Sequence, residues 1–130
     1  MPLKGENIAT FAYPKTSVHL ESEIPSVHFN TSWYFGNLVD FHAKGWGFLK
    51  YPCFQTSIQI LGGASGGPVL NSKGEIFAIN SRSFDFGSDD EEPVSFVTPI
   101  APLLDIEVEA SPGQQLKIRD LAQLGVINLR

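Results

Sequence analysis

Short segments rich in β-branched and aromatic residues recur along most of this chain and are separated by Gly, Pro and Asn. The clearest is 53–61, in which apolar and polar side chains alternate. A period of two is the pattern of a strand that buries one face. Many short strands with frequent turn signals between them indicate an all-β barrel or sandwich.

The same pattern predicts the individual elements. Asn71-Ser72-Lys73-Gly74 predicts a hairpin turn with Gly74 in the left-handed conformation. The helical spacing of apolar residues over 118–124, which ends at Gly125, predicts a short helix, and 100–106 is a second helical candidate. The predicted strands are 8–13, 18–24 with 27–29 as one bent strand, 33–41 with a bulge or kink at Gly36-Asn37, 53–61, 68–70, 75–81 and 94–98.

Composition excludes several classes of function. The net charge of −5 comes largely from acidic residues clustered over 85–92, which predict a solvated loop. No basic patch with interleaved aromatic residues occurs, so no nucleic-acid partner is expected. No apolar run approaches the roughly 18 residues of a spanning helix, so no membrane partner is expected either.

The single cysteine and the N-terminus bear on the compartment. Cys53 has no second cysteine to pair with, and its aromatic surroundings favour a buried structural thiol. The first five residues lack the apolar core of a signal peptide. A cytoplasmic protein is expected if the chain is complete, although a piece of a longer exported protein has the same appearance.

Gly62-Gly63-Ala64-Ser65-Gly66-Gly67 places one serine among glycines, directly before an apolar strand signal. We call residues 62–67 the glycine cage. Glycine permits positive φ and close backbone approach, so such a turn can expose a serine hydroxyl beside unblocked backbone N–H groups. Acyl transfer by a serine nucleophile needs this combination of an exposed Oγ and an oxyanion hole.

The order of motifs from residue 55 onward resembles the C-terminal half of trypsin-like serine proteases, especially the HtrA or Deg branch. Gln55-Thr56-Ser57 precedes the cage at the family's spacing, and the apolar strand that follows ends in Ile79-Asn80. Upstream, 5–14 is similar to the strand that opens the family's second barrel. The resemblance covers about residues 5–105, with a less recognisable middle over 15–51.

This resemblance implies a six-stranded antiparallel Greek-key barrel over 1–110, one half of a trypsin-like double barrel, followed by a tail with a short helix over 111–130. Ser65 matches the nucleophile, and the N–H groups of Gly63 and Ser65 match the oxyanion hole. Asn80, Ser81 and Arg82 match the strand edge that pairs with substrate. A peptide or protein substrate is implied, and no cofactor.

Gln59 matches the floor of the pocket for the residue before the scissile bond. Because it is neutral, it argues against trypsin's preference for Lys or Arg. The alternative that Gln59 is an ordinary outward strand residue stays open.

Two departures from the family pattern matter. Ala64 replaces the usual Asp or Asn before the serine, so activation by a salt bridge to a freed amino terminus is not expected. More seriously, the family's catalytic His and Asp belong to an N-terminal barrel that this chain lacks. The resemblance therefore implies either a missing N-terminal barrel or self-association, because the apolar face of a lone barrel needs a cover.

The chain has three histidines, His19, His28 and His42, and none has the sequence context of the family's catalytic histidine. Their spacings match no common metal-ligand pattern, so no metal site is predicted. His42 is the best internal candidate for a base. Asp40 lies two residues before His42, but this proximity in sequence does not by itself predict a catalytic triad with Ser65.

Three functions stay open on the sequence. The first is the nucleophile-bearing half of a serine endopeptidase, inactive as this chain alone. The second is a protease-like binding module that pairs peptides on a strand edge without chemistry. The third is a self-contained serine or cysteine hydrolase that uses His42.

Overall fold

The computed structural model describes residues 2–13, 17–19, 26–60, 62–85 and 93–129. The acidic loop predicted over 85–92 lies outside these ranges except for Asp85, which is exposed. The strands are β1 (Asn7–Ala12), β2 (Ser17–His19), β3 (Ser26–His28), β4 (Ser32–His42), β5 (Cys53–Thr56), β6 (Pro68–Leu70), β7 (Ile76–Phe84), β8 (Val94–Pro99), β9 (Glu107–Ser111) and β10 (Gln114–Lys117).

Six of these strands close into an antiparallel barrel in the order β1-β4-β5-β8-β7-β6, with β6 paired back to β1. The strands β1, β4 and β5 are consecutive neighbours, and β6 returns to lie beside β1, which is a Greek-key arrangement. The predicted all-β, six-stranded antiparallel barrel is confirmed. The long return connection, from β5 to β6, contains the glycine cage.

The barrel interior is filled by inward-facing residues of all six strands. Val69, Ala78 and Val97 are completely buried, one on each of β6, β7 and β8. A second cluster lies around Phe96, whose ring centroid is 4.9 Å from that of Trp46 and 5.8 Å from that of Phe84. Burial of this apolar surface is the main favourable term in the folding of the barrel.

By compactness the chain divides into Met1–Pro99, which contains the barrel, and Ile100–Arg130. The second unit contains the antiparallel β9–β10 hairpin and two 3-10 helices, Ala101–Asp105 and Ile118–Ala122. Arg119 and Lys117 both form ion pairs with Asp105 in this unit. The domain boundary predicted after residue 110 falls inside it.

Several local expectations differ from the structure. The strand predicted over 53–61 ends at Thr56, because the Ile58 N–H bonds the Thr56 hydroxyl and the Ile60 N–H bonds that of Ser95. Ile58 and Ile60 stay buried without strand pairing. The bent strand predicted over 18–29 is a separate hairpin of β2 and β3, and residues 20–25 lie outside the described ranges.

The predicted helices at 100–106 and 118–124 are 3-10 helices of five residues each. The β9–β10 hairpin was not predicted. None of the helices within the described residues is long and apolar enough to cross a membrane.

The connection between β4 and β5 depends on one glycine. Gly45 has φ +88°, and a Cβ on it would overlap the Leu49 carbonyl. Gly47, two residues later, also has positive φ (+53°), but a Cβ there would meet no atom within 4 Å. Substitutions at the two glycines therefore distinguish two costs. Both incur the strain of positive φ, and only the one at Gly45 adds a steric overlap.

We expect Gly45→Ala to lower the free energy of unfolding by about 3 kcal/mol or more, because overlap adds to the strain of positive φ. Gly47→Ala should cost only about 1 kcal/mol from strain alone. Urea unfolding followed by tryptophan fluorescence measures both, since Trp46 lies between the two sites. Equal losses in the two variants would contradict the close packing of this connection.

Candidate functional site

The glycine cage is held at one end of the barrel by backbone hydrogen bonds to β7. The Gly66 N–H donates to the Asn80 carbonyl at 2.8 Å, and the Asn80 N–H donates to the Gly67 carbonyl at 2.8 Å. The Gly67 N–H donates to the Ala64 carbonyl at 3.1 Å, which closes the turn around Ser65. Gly63 and Gly66 have φ values of +88° and +85°, and these let the chain reverse twice within a few residues.

A buried side-chain network supports the same turn from inside the barrel. The Thr10 hydroxyl donates to the Pro68 carbonyl at 2.6 Å, and the Asn80 amide donates to the Thr10 Oγ1 at 2.7 Å. The Asn80 amide also donates to the Ala64 carbonyl at 3.3 Å. Thr10 and Asn80 are 1% and 2% exposed. These bonds join β1 and β7 to both ends of the turn that carries Ser65.

Ser65 is exposed at the tip of this turn. Its Oγ donates to the Ser81 carbonyl at 3.5 Å, a distance at the weak limit of hydrogen bonding. The N–H groups of Gly63 and Ser65 donate to no acceptor in the described part of the chain. An exposed hydroxyl and two unbonded N–H donors are thus close together in the chain and on a fixed turn.

In the described part of the chain, residues 81–84 of β7 have no strand partner on the side of β6, although the Ser83 hydroxyl donates to the Ile60 carbonyl at 2.7 Å. We call residues 81–84 the open edge. Strand β6 pairs with β7 only as far as Ile79, whereas β8 pairs with β7 as far as Phe84. The β7–β8 register shifts between Asn80 and Arg82, so Ser81 lies at a bulge. Bulges frequently re-aim side chains next to functional sites. Tyr51 Oη contacts the Ser81 Oγ at 3.1 Å.

The residues predicted to bind substrate take different positions in the structure. The side chain of Asn80 points into the barrel, where it is buried. Ser81 is half-buried, whereas Arg82 is exposed with its guanidinium 5.8 Å from the Phe84 ring centroid. Gln59 is exposed and follows the end of β5. The roles assigned to these residues remain predictions.

Neither of the two histidines with described side chains, His28 and His42, hydrogen-bonds Ser65. His42 Nε2 contacts the Gln55 Oε1 at 3.2 Å, and the ring packs 6.0 Å from that of Phe96. Asp40 accepts a hydrogen bond from the Phe41 N–H of its own strand. His28 is exposed, and the side chain of His19 is not among the described ones. In this part of the chain the Ser65 hydroxyl has the Ser81 carbonyl as its hydrogen-bond partner.

Cys53 lies opposite His42 in the β4–β5 pairing, but it is completely buried. Burial raises the pKa of the Cys53 thiol, although a hydrogen bond with the Trp46 backbone acts in the opposite direction. The thiolate is the reactive form of cysteine. Cys53 therefore has neither the access nor the ionisation of a nucleophile.

A cavity of about 270 Å³ borders the glycine cage. Its walls are the end of β1 with the following residue (11–13) and the turn from Gly63 to Pro68. No local sequence pattern indicates that Thr10, Phe11 and Tyr13 lie near the turn of Ser65. Strand pairing across more than fifty residues brings them there, and only the pairing of β1 with β6 could have indicated it.

No group of three or more His, Cys, Asp or Glu side chains that could hold a metal ion occurs within residues 2–13, 17–19, 26–60, 62–85 and 93–129. No protein-family model matches the chain, and no curated protein matches its sequence. Functional assignment therefore depends on the geometry of the cage and on the motif pattern of the sequence.

The tight packing of Gly67 gives a test of this geometry. A Cβ there would lie 2.8 Å from the Phe11 carbonyl oxygen and 3.1 Å from the Asn80 Nδ2. Gly67→Ala should lower the free energy of unfolding by about 1–3 kcal/mol, because strand and cage must move apart. Gly62→Ala is the matched control, since its Cβ would meet nothing within 4 Å and should change stability by less than about 0.5 kcal/mol.

Thermal or urea unfolding of the two variants measures the difference. Two-dimensional amide NMR of folded Gly67→Ala should also show shifts confined to the cage and to the β1 and β7 residues that contact it. A Gly67→Ala protein as stable as Gly62→Ala would show that the cage does not pack against β1 as described.

Proposed function

We propose that this chain is the nucleophile-bearing half of a trypsin-like serine endopeptidase, with Ser65 as the nucleophile. The observation that carries the proposal is the cage itself, which holds an exposed hydroxyl beside the unbonded N–H groups of Gly63 and Ser65. Neither a plain surface loop nor a core turn needs this arrangement. Acyl transfer does, because charge develops on the substrate carbonyl oxygen and needs preorganised donors.

The reaction follows from these groups. The Ser65 Oγ adds to the carbonyl carbon of the peptide bond while a general base takes its proton. The Gly63 and Ser65 N–H groups stabilise the oxyanion, and the C–N bond breaks as the leaving amine receives that proton. Water then attacks the acyl-enzyme, and the ester bond breaks to return the Ser65 hydroxyl and release the carboxylic acid.

The open edge over residues 81–84 supports a peptide as the substrate. An extended peptide that pairs there as an added strand gains main-chain hydrogen bonds with little dependence on its sequence. The edge begins at Ser81, whose carbonyl contacts the Ser65 Oγ. A peptide paired on this edge therefore runs past the nucleophile.

The general base comes from a second polypeptide segment in this proposal, either an N-terminal barrel or another copy of the chain. His42 contacts Gln55 and its ring lies near that of Phe96, so this proposal does not assign the base to it. Loss of the serine or histidine of a triad costs about 10⁶ in kcat. The described barrel alone is accordingly expected to be a very poor catalyst.

A specific observation also favours a second function, a peptide-binding module without chemistry. The Ser65 hydroxyl contacts a carbonyl and no imidazole within the described residues. Such a module would keep the open edge and the cage as a binding surface. It would bind peptides equally well with serine or alanine at position 65.

The two functions are separated by labelling with a fluorophosphonate probe. We expect the full-length protein, assembled with the segment that supplies the base, to be labelled at Ser65 and Ser65→Ala to lose all labelling. Ser72→Ala is the matched control, since Ser72 is an exposed serine on a turn and its loss should change nothing. The 130-residue chain by itself should label far more slowly.

Labelling that persists in Ser65→Ala would overturn the assignment of the nucleophile. A full-length protein that is folded, binds peptides and takes no label would favour the binding module. Labelling of the 130-residue chain at the full-length rate would overturn the requirement for a base from outside it.

A further inference from the structure

We propose that the cavity beside the glycine cage binds one large apolar side chain of the substrate, from the residue that follows the scissile bond. This inference rests on the proposed function, because Ser65 defines where the scissile bond lies. It adds a specificity determinant on the leaving-group side, formed by Phe11 and Tyr13 with the cage.

The described walls of the cavity are uncharged. They consist of residues 11–13 and 63–68, and none of these carries a charge. Two are aromatic, and Ser65 and the glycines contribute mostly backbone. A charged side chain would lose its hydration here without gaining a partner, whereas an apolar one gains by leaving water.

The cavity is large enough for one bulky side chain. It has a volume of about 270 Å³ and is partly open to solvent. For comparison, an engineered protein cavity of about 150 Å³ holds a benzene molecule. One phenylalanine or leucine side chain therefore fits, whereas a methyl group would leave most of the volume empty.

Ser65 lies between the cavity and the open edge. It lines the cavity and also contacts Ser81, where the open edge begins. None of the edge residues 81–84 lines the cavity. A peptide whose acyl part pairs along the edge therefore meets the cavity with the residue on the other side of the scissile bond.

The aromatic residues of the cavity wall also belong to a row of contacting rings on β1, β4 and their flanks. The Phe11 ring centroid is 5.9 Å from that of Tyr13 and 5.5 Å from that of Trp33. Phe35, 75% exposed, stacks beyond Trp33 at 6.3 Å and lies outside the cavity. Phe35 is therefore a matched control, because it is aromatic like the cavity wall but does not line the cavity.

Phenylalaninamide is the test ligand, because it has the free α-amino group that the leaving fragment would have. Amide NMR of the 130-residue chain should show saturable shifts at Gly63, Gly66 and Gly67 when it is added. Alaninamide, which lacks the ring, should bind at least about tenfold more weakly. N-acetylphenylalanine, which resembles the acyl fragment, should bind more weakly than phenylalaninamide.

Tyr13→Ala should reduce the affinity for phenylalaninamide to about that for alaninamide, and Phe35→Ala should leave it unchanged. Equal binding of phenylalaninamide and alaninamide would overturn the proposal. So would an equal loss in Tyr13→Ala and Phe35→Ala, which would place the ligand on the exposed row. Tighter binding of N-acetylphenylalanine would assign the cavity to the acyl side and overturn it as well.

Fluorophosphonate labelling separates this inference from the proposed function. If Ser65 is labelled but phenylalaninamide binds no more tightly than alaninamide, the cavity assignment is overturned and the endopeptidase proposal stands. The expected ligand preferences with an unlabelled Ser65 in the full-length protein support a binding site for an apolar side chain. That result would overturn the proposal of an endopeptidase and also the assignment of the cavity to the leaving-group side of the substrate.

Discussion

The candidate site depends on one buried hydrogen-bond system, in which the Thr10 hydroxyl and the Asn80 amide join three parts of the barrel. The Asn80–Thr10 bond links residues 70 positions apart, and the Thr10–Pro68 bond spans 58 positions. Burial of a polar group costs free energy unless the group is hydrogen-bonded. Loss of one of these bonds would therefore leave a buried group unpaired and weaken the others. This mutual dependence fixes the turn of Ser65 to β1 and β7 far more strongly than a loop could fix itself.

The Greek-key order explains why this turn lies where it does. After β5 the chain must cross one end of the barrel to bring β6 beside β1, and the glycine cage is the last part of that crossing. The same crossing places the cage between the end of β1, which forms the cavity wall, and β7, which has no strand partner on that side beyond Asn80 among the described residues. One connection therefore carries Ser65 and lies between the cavity wall on β1 and the edge of β7.

The sequence predicted the barrel because alternation survives in local windows, as in β1, where every second residue is buried. It also indicated Ser65, since a serine among glycines is visible in one short segment. It failed where a side chain replaces strand pairing: Ile58 and Ile60 alternate like a strand, yet the hydroxyls of Thr56 and Ser95 take their N–H groups. The cavity depends on a pairing between distant strands, which no local pattern contains.

The identity of residue 80 follows from the acceptors that surround it. The Thr10 hydroxyl gives its proton to the Pro68 carbonyl, so toward Asn80 it can only accept, and the Ala64 carbonyl is also an acceptor. A carboxylate would face two acceptors, whereas an amide NH₂ satisfies both. The other end of the amide, Asn80 Oδ1, is then left buried without a hydrogen-bond partner in the described part of the chain. Such an unpaired group costs about 1–3 kcal/mol, and here it accompanies the two donor bonds that hold Ser65 in place.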